Sequence, residues 1–291
     1  LNNAGNNFTE TALLNGVAAT DWSWSALFAD YDQDGEQDIF VGNGIPKRPN
    51  DLDYVKYYSN DQIKTKITTT KLLDKEALNK MPKGNCTNYM FQGAADLHFK
   101  NRSKDWIEND SIISNGSGYA DIDNDGDLDI ITNNLNSVAS LYINRTDTAS
   151  NYLKLKLQFQ GKNSFGIGAK VISYAKGKRQ FKELQTTRGF QSSSEPMLHF
   201  GYGKIKMIDS LVVIWPDKTY QTLKNIKANQ TIVVKAAKRR KAFNYQKLHP
   251  SIVPVFKKVE GNLGIDFTHQ ENDYVDFIFP YPKCSICSEE D

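Results

Sequence analysis

A nine-residue pattern occurs twice in this chain and constrains what it can fold into more than any other feature. The copies are Asp30-Tyr31-Asp32-Gln33-Asp34-Gly35-Glu36-Gln37-Asp38 and Asp121-Ile122-Asp123-Asn124-Asp125-Gly126-Asp127-Leu128-Asp129. Each reads Asp-x-Asp-x-Asp-Gly-x-x-Asp and runs into an apolar segment, Ile39-Phe40-Val41 or Ile130-Ile131-Thr132. Carboxylates at positions 1, 3, 5 and 9 converge if the chain turns sharply, and Gly35 or Gly126 at position 6 supplies the positive φ that such a turn demands. Two carboxylates about 5 Å apart repel by about 3 kcal/mol at an effective dielectric near 20, and four of them make six such pairs. A converged loop therefore calls for a cation, and an ion-free one is expected to open into water. A hard cation such as calcium takes about six to eight oxygens, so the backbone carbonyl of Glu36 or Asp127 is expected to join the carboxylates. A single copy would also read as a solvated acidic turn, since Asp and Gly are common turn residues. Two copies with the same residues at the same positions favour a cation cage.

An EF-hand shares positions 1, 3, 5 and 6, but it also needs a bidentate Glu at position 12 and a helix on each side. Position 12 here is Val41 or Thr132 and the flanks are β-branched and aromatic, so both loops are expected to open strands. This loop followed by an apolar strand resembles the calcium loop of FG-GAP/VCBS repeats, the blades of integrin-alpha-type β-propellers. The resemblance implies Asp30, Asp32, Asp34 and Asp38 as ligands of one calcium ion, and Asp121, Asp123, Asp125 and Asp129 as ligands of a second.

The 291 residues leave room for two or three domains with a sizeable core. An apolar fraction of 39%, an aromatic fraction of 11% and abundant Asn, Thr, Ser, Gly and Tyr suit a β-rich chain with many turns. The net charge of +2 provides no global field for nucleic acid or a membrane surface. Three cysteines are too few for a disulfide framework, and the lone Cys284-Ser285-Ile286-Cys287 has neither a second pair nor a βαβ context. With no run of 18 apolar residues, no transmembrane segment is expected. The opening at Leu1-Asn2-Asn3, without a basic-then-apolar leader, suggests a fragment whose targeting signal lies elsewhere.

Residues 1–43 and 92–134 align at one fixed offset: Phe8 falls on Phe99, Ala29 on Ala120 and Asn43 on Asn134. The offset exceeds a propeller blade of about 40–50 residues, so an insertion is expected, at about 44–89. Within it, Leu73, Ala77 and Met81 recur at helical spacing before Pro82, and the stretch through Tyr54, Tyr57 and Tyr58 reads as another short helix. Trp22 and Trp24 alternate with serines ahead of the first loop, which places both indoles on one strand face, either packing blade against blade or stacking on sugars.

From Tyr152 the pattern changes to short alternating segments, 152–159, 167–174, 181–186, 207–215 and 231–234, expected to form an antiparallel sandwich or barrel. Gly166-Ile167-Gly168-Ala169-Lys170-Val171, Arg188-Gly189-Phe190-Gln191-Ser192, Leu198-His199-Phe200-Gly201-Tyr202-Gly203 and Ile214-Trp215-Pro216-Asp217 come in the order found in the ASPIC/UnbV domain. This span resembles that domain, which accompanies FG-GAP repeats in cartilage acidic proteins and bacterial surface proteins. Tyr202, where Leu is usual, and Lys218, where Gly is usual, depart from the pattern and read as loop positions. The basic run Lys235–Lys241 reads as a solvated linker. Residues 256–277 resemble the opening of a further FG-GAP segment.

The sequence thus points to an all-β chain: propeller blades over 1–147, an ASPIC/UnbV-like domain over 148–237, and a linker with a truncated segment over 238–291. Four dispersed histidines lack metal spacing, and no nucleophile elbow, zinc helix or phosphate loop is recognised. The expected function is a non-catalytic module with two calcium ions, outside the cell or on its surface (a bacterial outer membrane or periplasm by the resemblance). It would bind an extracellular protein or polysaccharide and not nucleic acid. The alternative is a carbohydrate-active enzyme, a lyase or hydrolase, or its accessory domain, with paired carboxylates in the propeller mouth or in a missing blade.

Overall fold

The structure is a computed structural model that describes residues 2–3, 7–60, 75–108, 111–146, 150–247 and 256. Leu1–Tyr245 form one compact unit, and the remaining residues form a second. The expected further segment at 256–277 and the Cys284/Cys287 pair lie, Phe256 apart, outside the described residues.

The described part is all-β with a few short helices. After a small pair, β1 (Asn2–Asn3) and β2 (Asn7–Phe8), come β3 (Ser23–Ala29), β4 (Asp38–Asn43), β5 (Tyr89–Gln92) and β6 (Lys100–Asn101), an antiparallel sheet in sequence order. Next come β7 (Ser114–Ala120), β8 (Asp129–Asn134) and β9 (Ser140–Tyr142), a second antiparallel sheet. The repeat expected from sequence holds over the two strands that flank each loop: Ser23–Ala29 falls on Ser114–Ala120, and Asp38–Asn43 and Asp129–Asn134 each begin at the last Asp of an acidic loop. Both loops therefore open strands, as the β-branched flanks require. Two sheets do not close a ring, and the described residues contain no closed propeller.

The insertion lies between paired neighbours β4 and β5. It holds a helix at Leu52–Tyr58, capped by the Asp51 carboxylate on the Tyr54 N–H, and a second at Lys75–Lys80. Of the expected Leu73, Ala77 and Met81, Ala77 lies in the second helix and Met81 just past its end, and residues 61–74 are outside the described residues.

The two sheets meet along a seam of small residues. Ser25 and Ser117 share a buried Oγ to Oγ hydrogen bond of 2.7 Å, and a Cβ at Gly42 would press on both hydroxyls, at 3.1 and 3.3 Å. Beside the seam, Leu27, Ala29, Phe40, Met90, Leu128 and Ile130 form a common core.

The C-terminal half contains β10 (Asn151–Gln158), β11 (Lys170–Ala175), β12 (Lys178–Glu183), β13 (Thr187–Arg188), β14 (Ser192–Ser193), β15 (Met197–Gly203), β16 (Met207–Ile214), β17 (Thr219–Lys227), β18 (Gln230–Lys235) and β19 (Lys241–Ala242). They build a three-stranded sheet ordered β15-β10-β18, a five-stranded sheet ordered β12-β11-β16-β17-β19, and the β13-β14 hairpin. Leu153, Leu155, Phe200, Leu211 and Trp215 fill the core between the two larger sheets. The expectation of a wholly antiparallel domain is corrected here, because β10 and β18 run parallel, with Leu155 opposite Ile232.

Three local readings are also corrected. Lys235–Lys241 is not a linker: Lys235 ends β18, Lys241 starts β19, and Arg240 bonds Thr219 Oγ1 (2.7 Å) and Asp217 (2.8 Å) while lying over the Phe159 ring. Tyr202 is no loop residue; it is buried in β15 with its hydroxyl 2.7 Å from Ser173 Oγ. Lys218 does lie in a turn, at φ 64°, the left-handed conformation that a glycine adopts without strain. Trp22 precedes β3 and is 43% exposed, so strand alternation does not apply to it. Trp24 packs neither blade on blade nor in an open platform: it donates to the Gly44 carbonyl at 2.6 Å and leans on Phe190 from the C-terminal half, 4.8 Å between ring centres.

Candidate functional site

The acidic loops join β3 to β4 and β7 to β8, and in each of them three carboxylates gather, although residues 122–125 of the second are exposed. In the first, Asp30, Asp32 and Asp38 bring one oxygen each within 4.8 Å of one another; in the second, Asp121, Asp123 and Asp125 do so. Asp34 and Asp129, also expected as ligands, are not part of those triples. Asp34 accepts from the Glu36 N–H at 2.8 Å, the local bond that Asp makes in tight turns. Glu36 faces Lys178 at 3.9 Å, and the Asp127 carboxylate accepts from the Thr146 N–H at 3.2 Å.

The ninth residue of each loop acts as a strap. Asp38 accepts from the Tyr31 N–H (2.8 Å) with one oxygen and from the Gly93 N–H (2.9 Å) with the other. Asp129 repeats this with Ile122 (2.8 Å) and Asn144 (2.8 Å). Each strap ties the loop entrance to the chain beyond the sheet's third strand. Asp32 is aimed by a relay in which Arg102 Nε donates to Gln92 Oε1 (2.9 Å) and Gln92 Nε2 donates to Asp32 Oδ2 (2.6 Å).

The first residue of each loop keeps an oxygen in reserve. Oδ1 of Asp30 and Oδ1 of Asp121 are buried without a hydrogen-bond partner, and so is Oδ1 of Asp127. A buried carboxylate oxygen left unbonded is costly unless a cation meets it. The protonation energetics agree. Burial, reinforced by neighbouring loop carboxylates, pushes Asp30 up to about 7, Asp38 up to about 8 and Asp127 up to about 7. Both carboxyl sets are oxygen-only, the first largely desolvated and the second buried at Asp121 with Asp123 and Asp125 exposed, and oxygen-only sets suit a hard divalent cation such as calcium.

The three-stranded sheet of the C-terminal half presses on both loops through its outer face. On β15, Leu198, Phe200 and Tyr202 point into their own core, so His199, Gly201 and Gly203 point the other way. The Gly201 N–H donates to Asp30 Oδ2 at 3.1 Å, and the Gly203 N–H donates to the Gln33 carbonyl at 2.7 Å. A Cβ at Gly201 would collide with Asp30 and Gln33, and one at Gly126 with the Tyr152 ring. The Gly126 carbonyl accepts from Gln33 Nε2 (3.0 Å) and His199 Nε2 (2.8 Å), which binds loop to loop and both to β15. Burial beside Lys182 lowers His199 to about 3, so the ring stays neutral, with its proton on Nε2. On β10, Lys154 ion-pairs with Asp121. The turn between β13 and β14 completes the contact: a Cβ at Gly189 would press on the Ser117 carbonyl and on Ser25, and Arg188 lies over the Tyr119 ring.

Two of the segments that resembled a family, 188–192 and 198–203, hold the loops and their strands, and both lie within the residues that a family comparison matches. Residues 159–241 match the ASPIC and UnbV family. Cartilage acidic protein 1 of Xenopus tropicalis is 27% identical over 216 residues, covering 65% of this chain and 33% of the relative. The human protein of the same name is 26% identical over 216 residues, covering 65% and 32%. The chain thus spans about a third of the length of these curated relatives. Among the described residues, no helix is long and apolar enough to cross a membrane.

Sequence reasoning missed Lys154, His199 and Gly201 as parts of the site. Period-2 alternation with Leu153, Leu155, Leu198 and Phe200 was the available signal that they share a second face. A crevice between the first loop and β11, β12 and β15, lined by Asp34, Ser173, Lys178, Gln180 and Tyr202, carries one carboxylate, whereas glycoside hydrolysis uses two.

Proposed function

We propose that the chain is a calcium-binding module of an extracellular or cell-surface protein, in which FG-GAP-like propeller blades carry the ions and the ASPIC/UnbV domain clamps the loops. The observation that carries this reading is the buried, unbonded Oδ1 of Asp30 and Asp121, each at the head of a gathered set of carboxylates. Asp30, Asp32 and Asp38 would hold one ion, and Asp121, Asp123 and Asp125 a second. The first ion would neutralise the Asp30 and Asp38 carboxyls, which otherwise keep protons near neutrality, and both ions would stiffen the connection on which the outer face of the ASPIC/UnbV domain rests. Extracellular modules bind calcium at about 10⁻⁴ to 10⁻³ M, a range filled outside cells and not in cytosol. The relation to cartilage acidic proteins supports the same placement. The role is presentation: a rigid scaffold offers its loops and the 44–89 insertion to a protein or polysaccharide partner.

The test is thermal unfolding with chelator and with millimolar calcium. Calcium raises the melting temperature of the wild type, and the double variant Asp32→Ala with Asp123→Ala loses most of that rise. An unchanged melting curve for the wild type refutes the reading.

A further inference from the structure

The two loops share one pattern, yet the ASPIC/UnbV domain meets them with different chemistry. The first residue of loop one, Asp30, is met by backbone: the Gly35 and Gly201 N–H groups donate to its Oδ2 at 3.0 and 3.1 Å. Among the described residues Asp30 has no ion-pair partner within 4 Å; the buried Lys182 ammonium of β12 acts on it from further away, without contact. The first residue of loop two, Asp121, is met by an ammonium, as Lys154 Nζ pairs with its Oδ2. Both side chains are nearly sealed from water, at 8% exposure for Lys154 and 1% for Asp121. The other oxygen of Asp121, Oδ1, is buried without a partner and belongs to the gathered set with Asp123 and Asp125.

Strand geometry holds the lysine there. Leu153 and Leu155 point into the domain core, so Lys154 between them must leave by the opposite face, which loop two covers. Its ammonium lies 5.5 Å from the centre of the Tyr152 ring, which walls it further from solvent.

An ammonium and a divalent ion on one carboxylate stand a few ångströms apart and repel each other at low effective dielectric. We infer that the loops are two classes of divalent-cation site: the first binds tightly, and the second is held by Lys154 as an internal counter-ion, accepting calcium only at higher concentration as the ammonium is displaced. The affinity of loop two is thus set by a residue of another domain and not by its own nine residues. The inference rests on the calcium reading above and adds an order of filling to it.

Calorimetric titration of the full chain with calcium chloride, after chelator removal, decides it. The wild type shows two steps separated by about tenfold or more in Kd. Asp32→Ala removes the tight step and Asp123→Ala the weak one. Lys154→Met draws the weak step toward the tight one by about tenfold, and Lys154→Arg leaves the steps apart. Two equal steps in the wild type, a reversed assignment by the aspartate variants, or a weak step unmoved in a folded Lys154→Met protein overturns the inference while leaving calcium binding intact. If Lys154→Met fails to fold, the wild-type isotherm and the two aspartate variants still decide. Absence of any calcium heat in the wild type overturns the calcium reading and the inference with it.

Discussion

Replacing Gly201 by alanine adds one methyl group at the point where β15 lies on the first acidic loop. Gly201 does not occupy the left-handed region, so the new side chain costs nothing in backbone conformation; the whole effect comes from what the Cβ meets, namely the Asp30 carboxylate and the Gln33 backbone. Backbone atoms of a strapped loop and a buried carboxylate do not swing aside as a flexible side chain does, so β15 must lift. Lifting breaks the Gly201 N–H bond to Asp30, worth about 1.5–3 kcal/mol at a pH above 7, where the carboxylate is ionised, and the 2.7 Å Gly203 N–H bond to the Gln33 carbonyl, worth about 1 kcal/mol. The expected loss is about 3 kcal/mol, a fall of roughly 6–12 °C in melting temperature for a unit of this size. Gly161→Ala is the control: its φ is 74° with nothing within 4 Å of a Cβ, so it costs only the left-handed strain of about 1–2 kcal/mol. Both proteins are compared by thermal and urea unfolding in chelator. A Gly201→Ala protein as stable as Gly161→Ala or more so refutes the claim that β15 rests on the loop.

Two further outcomes follow from the same geometry. Burial holds Asp30 and Asp38 near 7 and 8 in the fold against 3.8 for the free group, so the ion-free fold keeps protons that the unfolded chain has released. That contribution is fully present below pH about 4 and is lost as pH rises through 7 to 8; two groups act with the opposite sign, His199, lowered to about 3, only below its ordinary value of 6.5, and Lys182, lowered to about 8, only from about pH 7.5 upward. In chelator the melting temperature therefore falls between pH 6.5 and 7.5, and on the calcium reading millimolar calcium, by displacing those protons, flattens the fall; a rise in chelator over that window contradicts the burial argument. Arg240→Ala, which strips the bonds to Thr219 and Asp217 and the cover over Phe159, lowers stability by about 1–2 kcal/mol in urea unfolding, while Arg239→Ala, at an exposed neighbouring position, changes it by less than about 0.5 kcal/mol. Equal effects would restore the linker reading of that run.

Short-range information carried much of this protein. The sequence alone determined that two acidic loops turn at Gly35 and Gly126, that each opens a strand, and that residues 1–43 and 92–134 repeat one unit, because these properties depend on residues within a few positions of one another and on the two-residue period of a strand. It also determined five strands of the ASPIC/UnbV domain to within a few residues, but not β15 at Met197–Gly203, the short β13, β14 and β19, or β17 at Thr219–Lys227, which mixes polar and apolar residues without a clean alternation. The tertiary structure alone decided what the second face of β10 and β15 does. A lysine, a histidine and a glycine alternating with leucine and phenylalanine are what a solvent-facing strand shows, and nothing within the strand distinguishes water from another domain as the medium beyond that face. Only the fold brings Lys154 to Asp121 and Gly201 to Asp30, across tens to hundreds of residues of chain, and so converts two identical patterns into two different electrostatic environments.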